Sequence, residues 1–464
     1  MTTLQTFYKS NLWKWLLTFC VSFGILLIPT NEIFTSDLRL YFAVTVFVIF
    51  LFIFEFAPLL VSAALLPALY IFSGLAPIEV ALSPWLKPVV YMAIGAFIFA
   101  NVLDECGLLK RICLWCIVKC GGTYNKTLYA FYFAGIVLSI MTFGRGYIII
   151  ATMAYGICKA FGYDKPCKES AIIMSVACIG AFGCTAFIYS PVTLSLLQSG
   201  IEAMGLTVTM NWYTAFIYNW PHILSALLFI WCMTKIFKTK NLVVKDSKEL
   251  FEQQLKDLGK ITKEEIRALI ILAVIVTYIL TQNIHGWPLE YVFFVAPYLL
   301  FFPGFKAATV NSANKVSLSV LIFMTSCMSI GTVGVAVGFQ DFFMATAMPI
   351  VSTLGPVPVT ILTVVAAAAS NLVLSASAIY ATLSAPLAQI AIMLDINPVA
   401  LMMATIVGSD CYFFPHEVTT FVVVFSFGLI TMKDFIKLAS LKTLLTFVVF
   451  CLIEIPYWYF AGLF

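Results

Sequence analysis

The sequence predicts an all-α, polytopic membrane protein built from two inverted-topology repeats. Of its 464 residues, 62% are hydrophobic and 10% are charged, whereas about 25% of the residues in a typical soluble domain are charged. The apolar residues fall in runs of about 20, the length that a helix needs to cross a bilayer. Two longer apolar segments carry small or polar residues at their centres, and a proline-interrupted apolar segment follows each of them.

The apolar runs predict about eleven transmembrane helices. The N-terminal run is interpreted as the first of these helices, because no small-residue cleavage site of a signal peptide follows it. The predicted spans lie near residues 13–29, 41–57, 58–75, 85–104, 170–204, 213–236, 265–283, 287–303, 317–340, 397–431 and 442–463.

The two segments with polar centres, 126–162 and 356–394, are predicted to be re-entrant hairpins that enter and leave the membrane on the same side. Irregular backbone survives at membrane depth only where protein or a wet cavity satisfies its polar groups. We therefore expect the interruptions at the hairpin tips, near the midplane. These interruptions are Gly144-Arg145-Gly146 in the first segment and Ser370-Asn371, followed by Ser375 and Ser377, in the second.

The basic residues agree with this topology when the N-terminus is cytoplasmic and the C-terminus is extracytoplasmic. Basic residues concentrate in cytoplasmic loops, and in this arrangement only Arg39 and Lys87 lie outside. If either hairpin crossed the membrane completely, every later loop would change sides. The expected location is a bacterial cytoplasmic membrane. The predicted cytoplasmic residues are Lys9, Lys14, Lys110, Arg111, Lys119, Lys126, Lys159, Lys165, Lys168, the nine basic residues from Lys235 to Arg267, Lys306, Lys315, Lys433, Lys437 and Lys442.

One polar linker divides the chain into two halves of similar pattern. Its sequence KDSKELFEQQLKDLGKITKEE predicts a surface helix followed by a turn. In each half a hairpin precedes a broken helix, at 170–204 in the first and at 397–431 in the second. The predicted organisation is an N-terminal helix (1–40), a first repeat (41–237), the linker (238–264) and a second repeat (265–464).

Two hairpin tips and two broken helices that meet near the midplane form the usual binding site of a secondary transporter. The positive ends of half-helices favour an anionic ligand. A channel is the alternative for the re-entrant segments, although paired broken helices favour alternating access. An enzyme is not predicted, because His222, His285 and His416 lie on distant segments and no metalloprotease or serine-hydrolase motif is present. The cluster Cys113, Cys116 and Cys120 is interpreted as buried packing, and no nucleic-acid partner is predicted.

Arg145 is the principal candidate for substrate binding. An arginine at membrane depth is costly unless it is paired or hydrated, and its guanidinium group matches a carboxylate in bidentate fashion. The alternative is an internal ion pair with Asp410 or Glu417. His416 could supply a second positive group or couple a proton, or it could be a neutral group bonded to a freed carbonyl.

Small and polar groups would complete the anion site. Asp410, Glu417 and Thr185 are predicted to bind a coupling ion or to balance the positive charges. Besides Arg145 and His416, the predicted substrate-binding residues are Thr142, Gly144, Gly146, Ser190, Pro191, Thr193, Ser370, Asn371, Ser375, Ser377, Pro415 and Thr419.

The chain resembles the divalent anion/sodium symporter family, which includes citrate, succinate and 2-oxoglutarate carriers. Ser370-Asn371-Leu372 is similar to the Ser-Asn-Thr tip motif of that family, whereas Met141-Thr142-Phe143 stands in the place of the first motif. Gly144-Arg145-Gly146 resembles the Ala-Arg-Gly of the citrate/2-oxoglutarate exchanger branch. In place of Thr-Pro-Pro-Asn, the breaks contain Tyr189-Ser190-Pro191-Val192-Thr193 and Phe414-Pro415-His416-Glu417-Val418-Thr419.

The resemblance implies a homodimer and an elevator mechanism, in which the hairpins and broken helices move against a scaffold near 58–104 and 287–340. It also implies carboxylate binding by the tip groups and a sodium site near Ser370 and Asn371. Since the first tip motif is absent, a fixed Arg145 could replace a mobile cation. The predicted function is therefore sodium-independent exchange of di- or tricarboxylates such as succinate, malate, 2-oxoglutarate or citrate. The alternative is sodium- or proton-coupled symport of a carboxylate, a sulfonate or sulfate.

Overall fold

The fold is described from a computed structural model of the chain. The structure describes residues 2–54, 56–120, 123–142, 147–182, 191–203, 205–206, 208, 210, 212–235, 245–288, 290–316, 318–372, 376–414, 417, 421, 424–425 and 427–464. These residues form helices, turns and loops, and no strand occurs among them. This agrees with the predicted all-α class.

The helices of the first half of the chain precede the polar linker. They are Thr2–Leu26, Ser36–Phe54, Leu59–Phe72, Ile78–Ala81, Pro88–Glu105, Leu108–Cys120, Tyr124–Thr142, Tyr147–Ala160, Lys168–Phe182, Pro191–Ala203, Trp212–Asn219 and Ile223–Lys235, with 3₁₀ turns at Ser83–Leu86 and Trp220–His222.

The linker and the second half contain the remaining helices. They are Lys245–Asp257, Lys263–Leu280, Gln282–His285, Glu290–Leu299, Val310–Asn314, Leu318–Ala336, Phe339–Leu354, Pro356–Asn371, Ala376–Met393, Pro398–Ser409, Met432–Val449 and Ile455–Phe460, with a π-helical turn at Phe450–Glu454.

Several helices begin where the local sequence favours a start. Pro398 opens one helix, and the side chain of Asn397 caps it by accepting a hydrogen bond from the Val399 N–H at 3.0 Å. Proline is tolerated at the first helical position because that N–H has no partner within the helix. Thr262 and Glu265 form a reciprocal capping box at the start of Lys263–Leu280.

Among the described residues, two helices are long and apolar enough to cross a bilayer. They are Tyr213–Lys235, which includes the 3₁₀ turn, and Met432–Phe460, which includes the π turn. Helices Val90–Glu105 and Leu108–Cys116 meet the same criterion together, with a bend of 69° between them. The count of about eleven transmembrane helices stays a prediction.

The two predicted scaffold segments pack against each other. Helix Leu59–Phe72 lies along Leu318–Ala336, and helix Pro88–Glu105 lies along Glu290–Leu299. The second contact is very close, because a Cβ atom at Gly95 would collide with the Phe293 carbonyl oxygen. Glycine therefore allows these two helix backbones to approach each other.

The same packing order occurs in both halves. The first helix pair, Tyr124–Thr142 and Tyr147–Ala160, packs with both arms on Lys168–Phe182. The second helix pair, Pro356–Asn371 and Ala376–Met393, packs with both arms on Pro398–Ser409. In each half, two helices that flank a predicted tip therefore hold the helix that leads into the following break.

The halves also interlock. Helix Pro191–Ala203 packs along Ala376–Met393 of the second helix pair, with Gly200 directly against Ser384. In the other direction, Tyr155 of the first helix pair stacks on Phe427 at 4.8 Å between ring centroids. Each helix pair thus contacts the chain beyond the opposite break.

The linker contains the expected surface helix, Lys245–Asp257, followed by a turn at Gly259 with φ of +65°. Arg111 fastens the turn by bonding the Glu265 carboxylate at 2.7 Å and the Gly259 carbonyl oxygen at 2.8 Å. The carbonyl oxygens of Leu258 and Lys260 accept further bonds from the same guanidinium group. A planar guanidinium serves several acceptors in one region, which a lysine ammonium cannot reproduce.

Candidate functional site

Many of the predicted site residues belong to the parts of the chain that the structure does not describe. Pro191 opens helix Pro191–Ala203 and Thr193 is half-buried in its first turn, while Ser377 lies in the first turn of Ala376–Met393. The following predicted residues lie outside the described residues: Gly144, Arg145, Gly146, Thr185, Ser190, Ser375, Pro415, His416 and Thr419.

At the first tip, helix Tyr124–Thr142 ends at the predicted interruption. Thr142 is buried, and its hydroxyl group donates a hydrogen bond to the Leu138 carbonyl oxygen at 2.7 Å. A threonine that bonds back to the preceding turn in this way satisfies its own donor. Its hydroxyl oxygen keeps acceptor capacity, but its proton is used within the helix.

At the second tip, Asn371 connects the tip to the following break. Its amide nitrogen donates hydrogen bonds to the carbonyl oxygens of Ser409 and Cys411, each at 3.1 Å. These carbonyls lie where helix Pro398–Ser409 ends, so its last turn leaves acceptors that need partners. Asn371 is only 1% exposed, and Ser370 before it is half-buried. The asparagine thus brings the tip and the break together.

The Asn371 side chain leaves one buried acceptor unused. No group of the described chain donates a hydrogen bond to its Oδ1 atom. Rotating the amide by 180° would put this oxygen against two carbonyl oxygens, so the hydrogen bonds fix the orientation. An unpaired amide oxygen beside a helix break is a suitable ligand for a hard cation such as sodium.

The two acids after the second helix pair have partners among the described residues that were not predicted. We expected Asp410 and Glu417 to balance Arg145 or His416, or to bind a coupling ion. Within the described residues, Asp410 instead pairs with His222 and Lys442. Glu417 accepts hydrogen bonds from the N–H groups of Phe413 and Phe414, at 2.9 and 2.7 Å. It therefore organises the backbone of the break.

The most unusual feature of the described chain is a line of four buried ionisable groups, here called the buried ion chain. The Lys442 ammonium bonds the Asp410 carboxylate and the Asp410 carbonyl oxygen. The Asp410 carboxylate bonds His222 Nε2 at 2.8 Å, and His222 Nδ1 bonds the Glu454 carboxylate at 2.9 Å. Lys442 and Glu454 are 1% and 0% exposed, and His222 and Asp410 are 5% and 8% exposed.

The position of Lys442 corrects a topology assignment. The residue was counted among the cytoplasmic basic residues at the start of the last span. In the structure it lies inside helix Met432–Val449, and its ammonium nitrogen also lies 4.9 Å from the ring centroid of Tyr412. A buried acid and an aromatic face repay part of the cost of removing the charge from water.

Hydrogen bonds beside two proline-associated turns, one 3₁₀ and one π, hold the buried ion chain in place. Pro221 has no N–H, so the Ile217 carbonyl oxygen loses its helical partner, and the Tyr457 hydroxyl group bonds it at 2.8 Å. The indole N–H of Trp458 bonds the Tyr218 carbonyl oxygen at 2.7 Å. These bonds join the end of helix Trp212–Asn219, just before the 3₁₀ turn that carries His222, to the helix beyond the π turn that ends at Glu454.

The sequence itself contains a signal for the buried ion chain. An ionisable residue inside an apolar span is by default a candidate functional residue. His222 follows Pro221 within one predicted span, and Glu454 and Pro456 lie together in the last one. The sequence pattern was used for His222 only to argue against metal and catalytic sites, so its pairing with the distant acids Asp410 and Glu454 was not predicted.

An apolar groove of about 440 Å³ lies between the predicted scaffold and the second helix pair. Its lining includes Ile330 of the predicted scaffold, Leu383 and Gln389 of the second helix pair, and Tyr41 of helix Ser36–Phe54. Most of its lining is aliphatic or aromatic.

Comparison with solved structures shows that known transporters share this fold. The chain is similar to the structure of Neisseria gonorrhoeae MtrF, which its description assigns to a class of antimetabolite efflux pumps. The TM-score is 0.57, and the identity is 13% over 83% of this chain and 84% of that one. The chain is also similar to the Alcanivorax borkumensis YdaH transporter, with a TM-score of 0.56 and 16% identity over 97% of this chain and 98% of that one. The comparison with curated protein sequences gives no match.

A match to a family model identifies the family of the chain, whereas these similarities to solved structures show only its fold. The model described as the sodium:sulfate symporter transmembrane region matches residues 9–464, which is nearly the whole chain. The predicted family is therefore confirmed. The chain belongs to the sodium:sulfate symporter family of integral membrane transporters.

Proposed function

We propose that the protein is a secondary active transporter of di- and tricarboxylate anions that works by an elevator mechanism as a sodium-independent exchanger. The observation that carries this proposal is the recurring arrangement at the two helix pairs. In each half, both arms of a helix pair pack on the helix that leads into a break. Paired breaks of this kind build the substrate site of inverted-repeat transporters.

The packing supports a division into a moving body and a scaffold. The scaffold would comprise the helices in 58–104 and 287–340, which pack closely at Gly95. The two helix pairs and the broken helices would form the moving body, because the contact of Gly200 with Ser384 joins their halves. The apolar groove at the boundary favours sliding. We further propose a homodimer in a bacterial cytoplasmic membrane, with the N-terminus inside and the C-terminus outside.

The proposed substrate chemistry depends on the two tips. Arg145 would bind one carboxylate through its guanidinium group, and the positive end of a half-helix would favour the other. Asn371 would keep the second tip against its break through the bonds to Ser409 and Cys411. A positive charge that cannot leave the empty site would make the unloaded return slow, which favours exchange over net transport.

Cation-coupled symport is the second candidate, and one observation favours it. The buried Oδ1 atom of Asn371 has no donor within the described chain, and an oxygen of this kind is a sodium ligand. In this case the carried anion could be a carboxylate, a sulfonate or sulfate. The family description names sodium and sulfate, so the experiment that follows tests this candidate as well.

Counterflow into proteoliposomes distinguishes the two candidates. Vesicles loaded with unlabelled succinate, citrate or sulfate would receive the labelled anion outside, with sodium or with choline as the external cation. We expect uptake of a carboxylate that needs internal anion and proceeds without sodium. Strict sodium dependence would replace exchange by symport, and uptake of sulfate alone would refute the carboxylate proposal.

Arg145→Ala tests the substrate site in the same vesicles. We expect this variant to insert normally and to lose anion binding, because the bidentate contact is removed. Arg267→Ala is the matched control, since Arg267 lies in the helix that follows the linker. Equal binding by wild type and Arg145→Ala would assign Arg145 to an internal ion pair.

A further inference from the structure

The buried ion chain requires a proton to become electrically neutral. Asp410 and Glu454 each carry a negative charge when ionised, and Lys442 carries one positive charge. With a neutral His222, the four side chains sum to −1, and with one added proton they sum to zero. A net charge in a low-dielectric interior costs several kcal/mol, so the neutral form of the chain is strongly favoured.

The geometry identifies where this proton resides. Lys442 and Asp410 form an ion pair at one end, so the remaining proton belongs to His222 and Glu454, which are 2.9 Å apart. The second oxygen of Glu454, Oε2, has no hydrogen-bond partner in the described part of the chain. A carboxylate with one unsatisfied buried oxygen is a poor place for a full negative charge, which favours a proton shared between the two groups.

The chain is extended along a helix and has a small cavity near one end. Lys442 and Glu454 are separated by twelve positions of one continuous helix, which corresponds to about 18 Å of rise. A cavity beside Lys442 has room for about one water molecule, and Ser175 and Tyr412 border it. The hydroxyl oxygens of both residues lack hydrogen-bond partners within the described chain. The Lys442 end of the chain is therefore adjacent to a site that suits water.

Within the part of the protein that the structure describes, other titratable groups face the buried ion chain from the surrounding elements. The buried tyrosines and cysteines are uncharged near neutral pH, and Glu417 is held by backbone N–H groups. These neighbours therefore supply no positive charge that could replace the proton. They are Tyr132 and Tyr380 toward Asp410, Cys411 and Tyr412 toward Lys442, Cys451 toward Glu454, and Cys178 and Glu417 behind Tyr412.

We infer that His222 and Glu454 form a proton-binding site, and that its occupancy sets the pH dependence of transport. Binding adds one proton to the pair and changes the charge of the chain from −1 to zero, with no other bond made or broken. Helix Ile223–Lys235 begins directly after His222, and helix Met432–Val449 carries Lys442. These two helices pack against each other and against Lys168–Phe182. The coupling to transport rests on the proposed function, in which Lys168–Phe182 and helix Pro398–Ser409, which ends just before Asp410, belong to the moving body.

Glu454→Gln is the decisive variant. Glutamine keeps the size of glutamate and can donate a hydrogen bond to His222, so it imitates the protonated form and leaves the chain neutral at any pH. Glu264→Gln is the matched control, because it removes a carboxylate at an exposed position on another helix. The primary measurement is infrared spectroscopy of the purified full-length protein during a pH titration, which follows the carbonyl stretch of buried protonated carboxyl groups.

We expect the wild type and Glu264→Gln to show a buried carboxyl band that is lost as pH rises, and Glu454→Gln to lack this band. His222→Gln retains side-chain hydrogen bonding and leaves Glu454 alone with the proton, so the midpoint of the band should move to a different pH. A wild type without a titrating buried carboxyl, or a band unchanged in both chain variants, would overturn the inference. If Glu454→Gln does not fold, the difference in the pH midpoint of the band between the wild type and His222→Gln decides whether the two residues share a proton site.

Transport provides the second measurement. In the pH range where the rate is limited by the binding of one proton, the wild-type rate of labelled-carboxylate exchange should change by about tenfold per pH unit. The rate of Glu454→Gln should vary by less than about twofold over the same range. If the transport rate of Glu454→Gln depended on pH as strongly as the wild-type rate does, the coupling would be refuted. If the wild type moves no carboxylate, the proposed function fails, whereas the infrared titration still decides whether the proton site exists.

Discussion

Replacing Lys442 by methionine tests the buried ion chain through stability. Methionine has nearly the same length and keeps the packing of the side chain, but it removes the ammonium group that bonds Asp410. Asp410 would then share His222 with Glu454, so two carboxylates would depend on one imidazole. Removing one partner of a buried ion pair typically costs about 3–5 kcal/mol, because the other charge remains buried. We expect a loss of this size in the free energy of unfolding.

The pH dependence of this loss has a definite sign. The folded variant needs one more proton than the folded wild type to neutralise the chain. Because stability falls with rising pH when the folded state binds more protons, Lys442→Met should lose more stability at alkaline than at acidic pH. Unfolding in mixed micelles, followed by tryptophan fluorescence at several pH values, measures both the size and the sign.

Two variants control this experiment. Lys437→Met removes a lysine at an exposed position on the same helix, and surface substitutions usually change stability by about 0.5 kcal/mol or less. The double variant Asp410→Asn/Lys442→Met removes both charges of the pair and should regain at least about half of the loss, because a buried pair can often be replaced at little cost. Wild-type stability in Lys442→Met would refute the argument that the ion pair is a buried, mutually dependent unit.

Two other sites give predictions of the same kind. Asn371→Ala removes both hydrogen bonds from the second tip to Ser409 and Cys411, so it should cost about 1–3 kcal/mol and reduce carboxylate counterflow; normal counterflow would show that this connection is dispensable. A Cβ atom at Gly408 would lie 2.5 Å from Ala367 Cβ and 2.6 Å from the Val364 carbonyl oxygen, so Gly408→Ala should lower stability by about 1–3 kcal/mol. Gly156→Ala is the control, because nothing lies within 4 Å of its added Cβ, and helical Ala is favoured over Gly by roughly 0.5–1 kcal/mol; equal thermal shifts in both variants would contradict the close contact at Gly408.

The transporter family followed from features that are local in the sequence. Runs of about 20 apolar residues and the polar interruptions depend only on neighbouring residues and on the bilayer thickness. The tip motif Ser370-Asn371 is also local, and helix Pro356–Asn371 does end at it. The hydrogen bonds from Asn371 to Ser409 and Cys411, however, span about forty positions. The sequence therefore identified Asn371 as a tip residue, but it did not show which carbonyl groups accept its hydrogen bonds.

The buried ion chain was decided by tertiary structure alone. His222, Asp410, Lys442 and Glu454 come from three separate segments, and the first is 232 positions from the last. Hydropathy and charge position placed Lys442 at a membrane boundary, because a lysine at the start of an apolar run normally reaches water. Its burial is tolerable only beside Asp410, and that proximity depends on how three helices pack. Local sequence therefore determined which segments are apolar and where they break, whereas packing determined which distant charges neutralise one another.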